Sequence, residues 1–108
     1  MATKNSSVCC VPDDVPALTG YLEEDLSLLC KALGHSARVR ILNLLIERGT
    51  CLSGSLAEEI DLAPSTVSEH LRILKESGLV QGTIDGPRRC YCVNPQTLEY
   101  FKNSVKKL

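Results

Sequence analysis

Apolar residues recur at spacings of three and four from Leu22 onward. Leu22, Leu26, Leu29, Cys30 and Leu33 fall along one stripe, the signature of an amphipathic helix, and Gly34 stops it. Ser36 can cap a second helix. There Val39, Leu42, Asn43 and Ile46 mark a stripe with Ile41 and Leu45 beside it, so the helix is expected to be largely buried up to Gly49. Ser55 and Glu58 have the spacing of a capping box and open a short helix carrying Leu56, Glu59 and Ile60. Asp61-Leu62-Ala63 reads as a tight turn. Pro64 suits the first position of the next helix, where a missing N–H costs little. Val67, Leu71 and Leu74 face inward there until Gly78, and Ser65, Ser68, Glu69, Arg72 and Lys75 occupy the other face. The pattern then shifts to strands over 79–84 and 89–93, joined by a turn at Asp85-Gly86-Pro87. Asn94-Pro95 opens a last helix with Leu98, Phe101 and Val105 on one side.

This order predicts a mainly α chain with one β-hairpin: a winged helix-turn-helix. Residues 1–17 are polar, contain Pro12 and Pro16, and are expected to form a mobile arm carrying Cys9 and Cys10. Residues 18–108 are expected to form one DNA-binding and dimerisation domain. With 108 residues the core is modest, and a dimer would help complete it.

The second helix of such a pair offers small and basic groups to the major groove. Ser65, Thr66 and Ser68 let the backbone approach, and Glu69, Arg72 and Lys75 lie within reach of bases or phosphates. Arg88 and Arg89, near the hairpin tip, can touch flanking backbone or minor groove. These eight residues are the candidate contacts to double-stranded operator DNA. A net charge of −1 does not advertise a nucleic-acid binder, but local basic groups can grip phosphates at near-zero total charge. The alternative is a protein–protein module on the same helical core.

Several stretches resemble the ArsR/SmtB family of metal-sensing repressors. They are residues 31–42, from Lys31-Ala32-Leu33-Gly34-His35 to Leu42; residues 63–74, from Ala63-Pro64-Ser65-Thr66 to Leu74; residues 76–80; and the hairpin followed by Asn94-Pro95. The resemblance spans roughly residues 22–108. It implies a symmetric homodimer built from the first and last helices, and release of DNA when an inducer binds. Glu69 departs from the family pattern, where His or a basic residue is common, so the operator cannot be carried over.

Composition adds chemistry. No signal peptide or membrane-spanning run is visible, which implies a cytoplasmic protein with no membrane partner. Six cysteines in a reducing compartment point to metal binding or redox sensing rather than a disulfide framework. Cys9, Cys10 and Cys51 are the candidate metal ligands. Three thiolates suit a soft ion, and trivalent arsenic or antimony accepts three sulfurs in a pyramid. The family's Cys-Val-Cys pair is absent, since Leu52, Ser53 and Gly54 stand near its place. The chain instead resembles a variant arsenic sensor with a Cys-Cys arm pair and one cysteine before the short helix. That resemblance implies As(III) or Sb(III) as inducer, no resident cofactor, and ligands shared between two subunits. Cadmium, lead, zinc, or an oxidant that joins Cys9 or Cys10 to Cys51 in a disulfide, are the rivals.

Cys90 and Cys92 alternate on a strand and share a face, so they are a second thiol candidate beside the simpler reading as plain strand residues. Cys30 is expected in the core, His35 as a cap or packing residue, and His70 as structural. The last helix offers only Glu99 in place of the His and acid pairs used by the family's zinc sensors. No nucleophile elbow, phosphate loop, His-Glu-x-x-His or Cys-x5-Arg motif is present, so an enzyme is not expected.

Overall fold

A computed structural model describes residues 19–48, 56–83 and 90–108. The elements run α1 (Leu22–Ala32), α2 (Ser36–Arg48), α3 (Leu56–Ile60), α4 (Pro64–Glu76), β1 (Val80–Thr83), β2 (Cys90–Val93) and α5 (Pro95–Lys106). The mainly α fold with an antiparallel hairpin is as expected. Val80 pairs with Val93, Gln81 with Cys92, Gly82 with Tyr91 and Thr83 with Cys90. The arm expected over 1–17, the Ser55 cap and the turn at 85–87 lie outside the described residues.

One core is shared by all the helices that lead to the hairpin. Leu29 from α1, Ile41 and Leu45 from α2, Leu56 and Ile60 from α3, and Val67, Leu71 and Leu74 from α4 meet Leu79, Val80 and Tyr91. Side-chain burial of this kind contributes about 1.5–3 kcal/mol per large apolar residue, and it fixes α4 on its support.

Local chemistry sets the ends of α4. Asp61 takes a left-handed φ of 62° at the turn from α3, a conformation that Asp tolerates better than most residues. Pro64 occupies the first turn of α4. At the far end Gly78 has φ +90°. Its N–H donates to the Lys75 carbonyl at 3.0 Å, and the Leu79 N–H reaches the Leu74 carbonyl at 3.1 Å. This pair of bonds is a Schellman cap, and the two fully buried leucines 74 and 79 close it with an apolar contact. The cap turns the chain directly from α4 into β1. Asn94 does the equivalent work for α5: its side chain accepts from the N–H groups of Gln96 and Thr97 at 3.1 and 3.4 Å.

Three expectations about faces are corrected. Cys30 is exposed, not a core residue; α1 buries Asp25, Leu29 and Ala32, a stripe that passes Cys30 by. On α2 the buried residues are Ile41, Leu42 and Leu45, whereas Val39 and Ile46 remain 41% and 43% exposed and Asn43 faces outward. Its apolar residues Ala37, Val39, Ile41, Leu42, Leu44, Leu45 and Ile46 are spread round the helix and interrupted by polar ones, so spacing could not choose its inner face. Ser36 is already helical; the capping acceptor is His35, whose Nδ1 takes the Ala37 N–H at 3.1 Å.

Candidate nucleic-acid interface and thiol set

The α3–turn–α4 unit presents α4 with a sharply divided surface. Val67, His70, Leu71 and Leu74 are buried, while Ser65, Thr66, Glu69 and Arg72 are exposed and Ser68 is half-buried. The first turn of α4 carries no acid, so its free N–H groups and the positive end of the helix dipole face outward unopposed.

Further along, the charges pair with one another. Arg72 donates through Nε to Glu69 Oε1 at 3.3 Å and through Nη1 to Glu76 Oε2 at 2.9 Å, and its Nη2 bonds Glu69 Oε2. The hydrogen bond and charge of Glu69, then the charge of Glu76, raise the Arg72 pKa above its ordinary value. Lys75 does not extend along this face. It is half-buried, and its ammonium donates to the Gly82 carbonyl on β1, tying the end of α4 to the hairpin. Periodicity placed Lys75 on the outer face, but its long stem bends round to the strand.

Behind α4 the support is polar as well as apolar. The rings of His35 and His70 lie 4.7 Å apart at 53°, joining the start of α2 to the middle of α4, as expected for packing histidines. Burial, then the neighbouring His35 and Arg38, lower the His70 pKa, and Glu69 opposes them weakly. Arg38 also donates from Nη1 to the Ala32 carbonyl at 3.1 Å, closing the end of α1. Arg48 pairs with Glu59, and Arg40 Nη2 reaches the Glu59 carbonyl at 3.4 Å, so α2 holds α3.

A second polar centre lies between α1 and α5. Asp25 is 1% exposed. Its carboxylate accepts from the Thr19 N–H at 2.6 Å, the Thr19 hydroxyl and Gly20 N–H at 2.9 Å each, and the Tyr100 hydroxyl at 2.9 Å. Burial pushes its pKa up, but the bonds from Thr19, Tyr100 and Gly20 outweigh that and leave it below 3.8. The same bond to Asp25 raises the Tyr100 pKa. Sequence reasoning missed this centre. The available signal was an acid four residues before Leu29 on the inward stripe of α1.

Of the thiols, Cys9, Cys10 and Cys51 lie outside the described residues, as do Arg88 and Arg89. Cys90 and Cys92 flank the buried Tyr91, both are half-buried and disulfide-bonded, and Gln81 Nε2 lies 3.9 Å from Cys92 Sγ. Among the described residues no three His, Cys, Asp or Glu side chains cluster as metal ligands. No described helix is long and apolar enough to cross a membrane.

Comparison with known proteins agrees with this architecture. Residues 35–81 match the family model described as bacterial regulatory protein, arsR family. An HTH-type transcriptional regulator of Methanocaldococcus jannaschii is 33% identical over 70 residues, covering 65% of this chain and 79% of the relative. The HTH-type transcriptional regulator CmtR of Mycobacterium tuberculosis is 39% identical over 71 residues, covering 66% and 59%. The arsenical resistance operon repressor of Staphylococcus xylosus is 28% identical over 82 residues, covering 76% and 78%. These relatives carry the names of regulators, not enzymes. The chain spans 55% to 59% of the length of the mycobacterial relatives it matches. No solved structure matches it.

Proposed function

We propose that this chain, which belongs to the arsR family of bacterial regulatory proteins, is a cytoplasmic repressor that binds operator DNA as a homodimer and releases it when an inducer occupies its thiols. The observation that carries this reading is the division of α4, with an apolar stripe locked into the core and a small, polar first turn left open to a groove. Ser65, Thr66, Ser68, Glu69 and Arg72 are the base- and phosphate-facing residues, and Arg88 and Arg89 contact flanking DNA. Lys75 acts from behind, through the hairpin it holds.

The homodimer uses α1 and α5. These helices pack on each other and leave Tyr21, Leu22, Val105 and Leu108 at 70%, 39%, 42% and 87% exposure, apolar surface that a second copy covers. The inducer is trivalent arsenic or antimony, held by Cys9, Cys10 and Cys51. Three thiolates neutralise a trivalent centre and satisfy its pyramidal preference, whereas hard cations favour oxygen ligands. Similarity to a relative named as an arsenical resistance repressor supports that choice.

The test is release from a duplex selected by the protein out of a random pool, under titration with arsenite, antimonite, cadmium, lead or zinc. Cys9→Ser, Cys10→Ser and Cys51→Ser should each blunt arsenite release and leave basal affinity intact; Cys30→Ser should behave as wild type. Full arsenite release from the Cys9→Ser/Cys10→Ser protein would reject this ligand set. A second reading, thiol redox sensing, is favoured by the disulfide state of Cys90 and Cys92. It expects peroxide to release DNA without arsenite, a reductant to reverse this, and Cys90→Ser or Cys92→Ser to abolish it.

A further inference from the structure

The exposed charges of α4 oppose the task expected of a DNA-reading helix. With Lys75 engaged by the hairpin, they reduce to Glu69, Arg72 and Glu76, two acids and one base. All three Arg72 nitrogens are engaged by these carboxylates. The guanidinium is half-exposed, as are both acids, so solvent access does not prevent Arg72 from meeting DNA. The two carboxylates compete with DNA for it.

We propose that Glu69 and Glu76 are specificity-determining residues: they clamp Arg72 and yield it only to a G·C-containing site that offers partners for the freed groups. This rests on the DNA-binding reading above. Non-specific affinity comes almost entirely from phosphate neutralisation. A phosphate approaching Arg72 must displace two carboxylates already in place, and it is itself repelled by them. The clamp therefore opposes binding to every sequence. A guanine changes this balance, because its O6 and N7 accept the two-pronged guanidinium. A neighbouring cytosine amino group donates to a released glutamate. Both freed partners are then satisfied at once, and only where the bases are arranged to do so.

The experiment measures binding of the full chain to a random-sequence duplex pool and to the duplex that the wild type selects from it. The proteins are wild type, Glu69→Gln/Glu76→Gln, Arg72→Ala and the triple variant that combines them. Gln keeps the shape of Glu at exposed positions, and thermal melting checks that each variant is folded. Exposed ion pairs are individually weak, so the double variant should bind the random pool about three- to tenfold tighter, with a salt slope steeper by about one unit as Arg72 takes a phosphate. Its preference for the selected duplex should fall by at least the same factor. Without Arg72, the two Gln substitutions relieve only their own repulsion of phosphate, so random-pool affinity should rise by clearly less than it does with Arg72 present, and the salt slope should not steepen by the extra unit. An unchanged preference in the double variant overturns the proposal. So does an equal gain with and without Arg72, which would assign the effect to overall charge. If the wild type selects no duplex at all, the DNA-binding reading fails first and the clamp fails with it.

Discussion

Replacing Lys75 by Met separates a DNA contact from an internal brace. The Met side chain keeps the apolar stem and removes the ammonium that donates to the Gly82 carbonyl. Hydrogen bonds to charged groups contribute about 1.5–3 kcal/mol when well buried. Lys75 is half-buried, so water replaces part of the loss and about 1 kcal/mol is the reasonable size. Unfolding entropy is about 2.1 cal/mol/K per residue, or roughly 0.2 kcal/mol/K for 108 residues, which converts that loss to a Tm about 4 °C lower. Both proteins must be melted at the same protomer concentration, since a dimer's Tm depends on it. Operator affinity should fall because β1 loses one of its ties to α4, but the dependence on salt should stay as in the wild type. Arg72→Ala should show the opposite pattern: Tm within about 2 °C of wild type, as for most surface changes, and affinity for the selected duplex lower by about tenfold or more, the loss of one bidentate base contact. If Lys75→Met keeps the wild-type Tm and loses about 0.9 in slope, the ammonium belongs to DNA and the brace is refuted.

Asn94→Ala removes the side chain that accepts from Gln96 and Thr97. The loss of such a cap should cost about 1 kcal/mol and lower Tm by about 4 °C; a variant as stable as wild type would show that Pro95 and packing alone start α5. His70 has a lowered folded pKa, so the unfolded chain binds the proton more readily and stability rises with pH between the two values. The contribution is complete above the ordinary value of 6.5 and is lost as pH falls below it. Melting from about pH 7.5 to about pH 5.5 should show this slope in wild type and a flatter one in His70→Phe; equal slopes would place the titration elsewhere. The depressed Asp25 carboxyl acts in a separate window, its contribution present above 3.8 and lost only as pH falls through a still lower folded value.

Punctuation was the most legible part of this chain. Pro64, Gly78 and Asn94 mark boundaries by their own backbone or side-chain chemistry, and each does so in the structure. Faces were legible only where a helix is divided. The inward set Val67, Leu71 and Leu74 of α4 was plain because polar residues separate it from the outer face. In α2 the apolar residues are spread round the helix rather than gathered in one stripe, and Val39 was assigned inward although Ile41 is the buried neighbour. Polar partnerships were the least legible. Asp25 meets Tyr100 across 75 positions, and nothing in local spacing announces that contact. Arg72 and Lys75 look alike on a helical wheel, yet one is held by acids on its own helix and the other by a strand carbonyl. The thiol set Cys9, Cys10 and Cys51 lies outside the described residues, so its support is still the sequence pattern and the chemistry of sulfur.

On the proposed reading, the Asp25 centre bears on how an inducer held by thiols would reach the DNA-facing helix. An ion can shift DNA affinity only if its ligands hold parts of the protein that sit differently in the bound and free states. Thr19 and Gly20 are the point where the segment bearing Cys9 and Cys10 joins the described fold, and Asp25 fastens both to α1 while Tyr100 adds α5. Cys51 falls between α2 and α3 in the sequence, and α3 leads into α4 through the Asp61 turn. On the proposed reading, an ion bonded to all three sulfurs therefore ties the α1–α5 layer to the support of the reading helix. The brace from Lys75 carries any shift of α4 onward to the hairpin, so helix and wing respond as one unit. Under that proposal, the centre would act on DNA through α4 and the hairpin without any of its ligands touching DNA.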